Sequence, residues 1–267
     1  MSIAPCIALL TDFGTTDGYA GAVKGVLVSL CPDVRIIDIT HSVAPGDIRG
    51  GAFALMTAVG TFPAGTVHVA IVDPGVGTDR RGLLIEAGGS FFVGPDNGLL
   101  SLAAVAPRRV WSLDRDQWFR RPVSPTFHGR DVFAPIAARV ASGIAPQELG
   151  TPLGGIIEIR IPHLRLTSDC LEGEVFHVDR FGNVVTSIRA GDLPGAREAL
   201  EVVVGDRTAL FYDTYGRAPS GTLIAVVGSS GFVELSSVGA SAARVLAAGA
   251  RPGAPVHVRA RAQTGPG

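Results

Sequence analysis

The sequence predicts an α/β N-terminal domain with a largely parallel central sheet, followed by an all-β C-terminal domain. Up to about residue 160, short apolar runs alternate with helical patterns, as in strand–helix–strand units. Beyond Cys170 a series of short strand-like runs is separated by turns, with a single helical stretch. At 267 residues, 46% hydrophobic and 18% charged, the chain suits one large or two ordinary domains with a sizeable core. The expected bounds are 1–162 for the α/β domain and 168–261 for the all-β domain.

The elements follow in order. Residues 7–10 form a buried strand, and the turn 11–16 leads to Asp17, which reads as the N-cap of a helix over 18–30. A strand over 34–39 precedes a helix capped by Asp47 and running through Val59. Residues 67–72 form the third strand, 83–87 and 91–93 a hairpin, and 129–141 a further helix, for which Asp131 is a candidate cap. Residues 156–167 read as a connector. Strands are expected over 172–178, 184–187, 202–204, 222–227, 232–235 and 256–260, with a helix over 240–247. This half reads as a small antiparallel barrel or sandwich, and the tail from Ala262 reads as disordered.

Net charge is −1 and there is no basic block, which argues against nucleic acid as a partner. Cys6, Cys31 and Cys170 are odd in number and widely spaced, so neither a disulfide framework nor a cysteine zinc site follows. No apolar run reaches the ~18 residues of a membrane span, and no leader pattern precedes the first strand. The chain reads as soluble and cytoplasmic, with no membrane partner.

The polar residues are placed where an α/β sheet binds ligands, outside the carboxyl ends of its strands. The stretch Val72-Asp73-Pro74-Gly75-Val76-Gly77-Thr78-Asp79-Arg80-Arg81 follows the third strand directly. It delivers the Asp73 carboxylate to the sheet rim, with Arg80 or Arg81 able to fold back over it. Asp12 and Asp17 flank the first turn. Gly94-Pro95-Asp96-Asn97-Gly98 follows another strand, and Phe127-His128-Gly129-Arg130-Asp131 precedes a helix. Asp96 and Asn97 belong at the pocket rim or serve as turn stabilisers. Arg130 and Asp131 read as structural pairing around the His128 turn. Metal-ligand spacings such as H-x-H or H-E-x-x-H are missing, as are the phosphate-loop, dinucleotide and nucleophile-elbow signatures. An enzyme built on this set works without metal, without cofactor and without a covalent intermediate.

These motifs, with Asp179-Arg180-Phe181-Gly182-Asn183, occur in the order found in the S-adenosyl-L-methionine (SAM) hydrolases, or SAM hydroxide adenosyltransferases, relatives of the fluorinase and chlorinase. The chain resembles that family from Ile7 to about Arg259. The resemblance implies a C-terminal β-barrel and a homotrimer with active sites between subunits. It implies SAM as substrate, with adenosine and L-methionine as products. Asp73, Arg80 and His128 would hold the attacking water, with Arg80 favoured over Arg81. Asp12 would bind the ribose diol, and Asp17 and Asn97 would contact substrate. Phe181, Asn183 and Gly239 would lie at the adenine. Asp179 would meet the methionine ammonium, and Ser229 with Ser230 its carboxylate.

The halogenases carry Tyr where this chain has Asp73, and the fluorinase has Tyr and Ser where it has His128 and Gly129. A carboxylate at the entry point would repel a halide, and burying both anions would be costly. Hydrolysis is therefore the expected reaction. A halogenase, a SAM- or adenosine-binding sensor and a metal-dependent phosphoesterase are the alternatives. Gly46 stands where the fluorinase has Trp, Ser230 where it has Arg, and Val238-Gly239 where it has Asn-Ala, so the methionine contacts should differ.

Overall fold

The computed structural model describes residues 4–261. The chain divides into two compact units, 1–159 and 160–267. The first contains β1 (Cys6–Thr11), α1 (Tyr19–Leu30), β2 (Arg35–Thr40), α2 (Ile48–Val59), β3 (Val67–Ile71), β4 (Gly82–Ala87), β5 (Ser90–Pro95), β6 (Arg108–Ser112), α3 (Ala134–Ala141), α4 (Pro146–Leu149) and β7 (Thr151–Pro152). Its sheet has the order β2-β1-β3-β5-β4-β6-β7. Neighbours from β2 to β5 are parallel, and β4, β6 and β7 extend the sheet antiparallel.

Continuous apolar runs make β1 and β3 the buried centre of this sheet, as parallel strands covered on both faces require. Ile7, Leu9, Val69 and Ile71 pack against Val23 and Leu27 of α1 and against Phe133 and Ile136. Each fully buried side chain of this size contributes roughly 1.5–3 kcal/mol. At Gly94 in β5 a Cβ would lie 2.3 Å from the Ala70 carbonyl oxygen, so glycine permits the close approach of β5 to β3.

Local signals hold in places and fail in others. Asp47 caps α2 as expected, its carboxylate accepting from the Gly50 N–H at 2.9 Å. Asp17 does not cap α1: Gly18 occupies the cap position, no side chain caps the helix, and Asp17 is exposed. The helix expected over 129–141 opens with a π-helical turn, Gly129–Phe133, before α3 begins. Asp131 lies inside that turn, fully buried, and does not cap it. The hairpin is present as β4–β5 and is longer than expected, whereas β6 and β7 lie outside the strands the sequence predicts.

The second unit contains β8 (Arg165–Leu166), β9 (Cys170–Val178), β10 (Val184–Arg189), β11 (Leu200–Val204), β12 (Arg207–Phe211), β13 (Leu223–Val227), β14 (Phe232–Ser237), α5 (Ala242–Leu246) and β15 (Pro255–Ala260). The order β10-β14-β13-β12-β11-β15-β9 closes through β9–β10 into a seven-stranded barrel, with β8 added beside β9. Closure removes the free edges of the sheet. Barrel, and not sandwich, is thus the outcome for this half. All ladders of the ring are antiparallel except β12–β13. Val175, Val202, Ala225, Val233, Leu235 and Val258 fill the interior. β12 lies outside the strands the sequence predicts, and the connector segment holds β8. The tail from Ala262 lies outside the described residues. Among the described residues no helix is long and apolar enough to cross a membrane.

Candidate active site

Register places the first two carboxylates. Thr11 at the end of β1 pairs with Ile71 at the end of β3, so Asp12 and Asp73 leave the sheet side by side at its carboxyl edge. The turn after Asp73 then reverses through Gly77, whose φ of +79° lies in the left-handed region. A Cβ there would lie 2.4 Å from the Pro125 carbonyl oxygen, so the turn seats directly against the loop that carries His128.

This brings Asp73, Arg80 and His128 together. Arg80 Nε donates to Asp73 Oδ1 at 2.8 Å and Oδ2 at 3.0 Å, and Nη2 donates a further short bond to Oδ2. Arg80 Nη2 also lies 2.8 Å from His128 Nδ1. A guanidinium only donates, so Nδ1 accepts and a neutral ring carries its proton on Nε2. The Arg80 and Asp73 side chains are 11% and 6% exposed, and the guanidinium lies over the Phe133 ring. Burial, and then the Arg80 charge, hold the His128 imidazole below the usual histidine value, against the pull of Asp73 and Asp131. Arg81 turns the other way, onto the buried Asp96, whose second oxygen accepts from the Ile157 N–H at 2.8 Å. Asp73 is therefore partnered by Arg80 and not by its neighbour.

Asp73 and His128 face a cavity of about 470 Å³ that is also lined by Asp12, Phe13, Tyr19, Gly46 and Phe127. Asp12 Oδ2 accepts from the Gly46 N–H at 2.9 Å. Phe13, Tyr19 and Phe127 meet edge-on or tilted, with centroids 5.4–6.1 Å apart. These aromatics are missing from the sequence-derived set, since only the tertiary fold brings positions 13, 19 and 127 together. Beneath the His128 turn, burial alone would raise the Asp131 carboxyl. Bonds from Arg130, the Ser124 N–H and Arg120 instead hold it below the usual carboxylate value. This is the structural pairing expected of Arg130 and Asp131.

Asp17 is exposed and does not line the cavity. Asn97 does not line it either: Nδ2 donates to the Val72 carbonyl at 2.8 Å and Oδ1 accepts from the Leu99 N–H at 3.1 Å. Those bonds fix the backbone just before Asp73, the turn-stabilising role. Among the described residues no group of three or more His, Cys, Asp or Glu could hold a metal ion.

The remaining candidates lie in the barrel unit. Asp179 clamps its own turn, accepting from the Phe181 N–H, the Asn183 N–H and Asn183 Nδ2 at 2.8–2.9 Å. Phe181 projects from that turn, 80% exposed. Ser229 is exposed, whereas Ser230 Oγ is buried with no hydrogen-bond partner. Gly239 is exposed with φ +76°. Glu234, on β14, lies outside the sequence-derived set. Its buried carboxylate accepts from the Tyr215 hydroxyl at 3.2 Å and lies against Gly228. Burial pushes its carboxyl up, opposed by the Tyr215 bond and reinforced by Asp179. A lone charge within the apolar run of β14 was the available signal.

The profile described as the SAM hydroxide adenosyltransferase N-terminal domain matches residues 7–150, and that of the C-terminal domain matches residues 173–257. The chain belongs to the SAM hydroxide adenosyltransferase family. It is 42% identical to an (R)-S-adenosyl-L-methionine hydrolase of Salinispora arenicola, with 92% of this chain and 95% of that protein covered. It is 39% identical to a protein of the same name from Thermus thermophilus, covering 94% and 98%. A fluorinase of Nocardia brasiliensis is more distant, at 28% identity over 90% and 92%. A solved structure of an uncharacterised conserved protein from Thermotoga maritima superimposes with a TM-score of 0.86 at 31% identity, covering 95% of this chain and 99% of that one.

Within this family the side-chain set separates the two chemistries. Asp73, paired with Arg80, stands where the resemblance places Tyr in the halogenases. The ordering of identities, hydrolases above fluorinase, agrees with that difference.

Proposed function

We propose that this chain hydrolyses S-adenosyl-L-methionine to adenosine and L-methionine, by in-line attack of water on the ribose C5′. The observation that carries the reading is the Asp73–Arg80–His128 chain of hydrogen bonds facing a cavity of about 470 Å³. The names of the hydrolase relatives specify the (R) configuration at sulfonium, and the reading takes that epimer as the preferred substrate.

The substrate's sulfonium gives a neutral thioether on departure, so the leaving group needs no activation. What the protein must supply is a positioned water and a destination for its proton. Alignment at near-attack distance is worth about 7–11 kcal/mol, and general-base help ~10²–10⁴-fold. Arg80 fixes Asp73 and takes the Nδ1 lone pair of His128. The imidazole is left with its Nε2–H to orient the water oxygen, and the reading assigns the proton to Asp73. Asp12 keeps one carboxylate oxygen beyond its Gly46 bond for the ribose diol, and the Phe13–Tyr19–Phe127 cluster supplies an apolar wall.

The reading retains Asp17 as a peripheral contact of the substrate and leaves Asn97 to hold the backbone before Asp73. It assigns Phe181, Asn183 and Gly239 to adenine, Asp179 to the methionine ammonium, and Ser229 with Ser230 to its carboxylate. The buried, unpartnered Ser230 hydroxyl supports that last assignment. It also takes 1–162 and 168–261 as the two domains, a homotrimer with sites between subunits, and a cytoplasmic location.

The test is chromatography of the purified protein incubated with each sulfonium epimer, with and without chloride. Adenosine and methionine in equal amounts are expected, fastest from the (R) epimer. Formation of 5′-chloro-5′-deoxyadenosine would instead favour the halogenase, and no product at all a binding protein.

A further inference from the structure

A second cavity of the N-terminal unit, about 500 Å³, is walled by α1 on one side and by Trp118, Arg120, Arg130 and Arg139 on the other. No acidic residue lines it. Arg120 and Arg130 share the single carboxylate of Asp131 behind the wall. Arg139 has no carboxylate partner among the described residues; its guanidinium lies over the Trp118 ring at 5.5 Å, and its Nε is buried with no hydrogen-bond partner. Three guanidinium groups thus face one carboxylate, leaving a surplus of two positive charges around the cavity.

A buried donor without an acceptor costs about 1–3 kcal/mol, and nothing in the Asp73 site uses this one. Among anions, a planar guanidinium fork fits oxyanions best. The lining hydroxyl of Ser29 already donates to the Gly25 carbonyl at 2.7 Å, which leaves the arginines as the charged donors, with the Gln117 amide beside them. We propose that this cavity binds a phosphate group, free or as a small monoester, with Arg139 as its principal ligand. A phosphate carries about −1.5 to −2 charge at pH 7, which matches the surplus. Trp118 and the α1 side chains Val26 and Leu30 leave room for an organic body beside it.

The test is calorimetric titration of the full chain with inorganic phosphate and, separately, with glycerol phosphate, each against sodium chloride at matched ionic strength. Saturable heat is expected with phosphate, weakened about tenfold or more by Arg139→Gln, as loss of a charge-assisted bond implies. Arg139→Lys, which keeps the charge but not the fork, should weaken it less and guards against misfolding of the first variant. Tighter binding of glycerol phosphate would identify the monoester as the natural ligand, and equal or weaker binding the free ion. No heat above the chloride control, or equal affinity in Arg139→Gln, would overturn the proposal. So would a drop in sedimentation mass in Arg139→Gln without any phosphate response, since the wall would then be a seat for a second copy. The titration needs no turnover, so its outcome is separate from that of the SAM reading.

Discussion

In the N-terminal unit, the Asp73 side chain is nearly buried and meets Arg80 through both of its oxygens, with His128 completing the chain. In the barrel, Glu234 is 8% exposed, accepts one bond from the Tyr215 hydroxyl, and has no basic partner among the described residues. Both carboxylates are buried, yet only the first is given a cation. The first unit therefore holds a charge in place, while the second works against one, pushing the Glu234 carboxyl up by burial. A carboxylate paired with a guanidinium is kept ionised and held in one orientation. An unpaired one beside Asp179 and the Ser229–Ser230 turn is suited to meeting charge brought by a ligand.

The largest test of that contrast is Asp73→Ala. Adenosine formation should fall ~10²–10⁴-fold with SAM binding retained, read as kcat beside a calorimetric Kd; unchanged turnover would remove Asp73 from the chemistry. Arg80→Ala should cost about 3–5 kcal/mol of stability in urea unfolding, because it strands the buried Asp73 charge. A loss under 1 kcal/mol would mean that the pair is not desolvated as drawn.

A third buried group sharpens the comparison. His68 is fully buried between Phe62 and Phe92 with neither ring nitrogen bonded, and burial pushes its pKa down to about 4. The native state keeps it neutral while the unfolded chain takes up a proton below about 6.5. Its contribution is therefore complete above that pH and is lost as pH falls from 6.5 towards 4, by about 3 kcal/mol in all. His68→Phe should flatten that part of the stability–pH curve; an unchanged slope would assign the acid sensitivity elsewhere.

The His128 value, held below the usual histidine value, predicts that the acid limb of kcat/KM begins below about pH 6.5. Protonation there would remove the acceptor that Arg80 uses. A limb centred above 6.5 would contradict the hydrogen-bond direction. The smallest effect is expected for Glu234→Gln. The raised carboxyl makes ionisation a cost above the unfolded value, so the substitution should stabilise at neutral pH and be nearly silent near pH 4. Destabilisation at both would show that the carboxylate has a partner.

The parts of this molecule that could be read from sequence are those in which one segment decides its own structure. The apolar runs of β1 and β3, the Asp47 cap and the Gly77 turn are of that kind, and Asp73 follows from its place at the end of β3. Asp17 misled because a glycine starts α1 more closely than the nearest good capping residue. β6 and β12 were missed because both carry charged or exposed residues and leave no continuous apolar run. The choice between Arg80 and Arg81 could be argued only by analogy. The partner that draws Arg81 away, Asp96, follows the end of β5, fifteen residues further along. The aromatic wall is not legible for the same reason, since its members come from separate strands and loops, whereas Glu234 is marked in the sequence as the lone charge of β14.

The central claim is that water attacks C5′ under the control of Asp73. Turnover of the (R) epimer of SAM in ¹⁸O-labelled water, followed by mass spectrometry of both products, tests it most directly. The account predicts the label in the adenosine 5′-hydroxyl and unlabelled methionine. Label in the amino-acid product, or unlabelled adenosine, would contradict it.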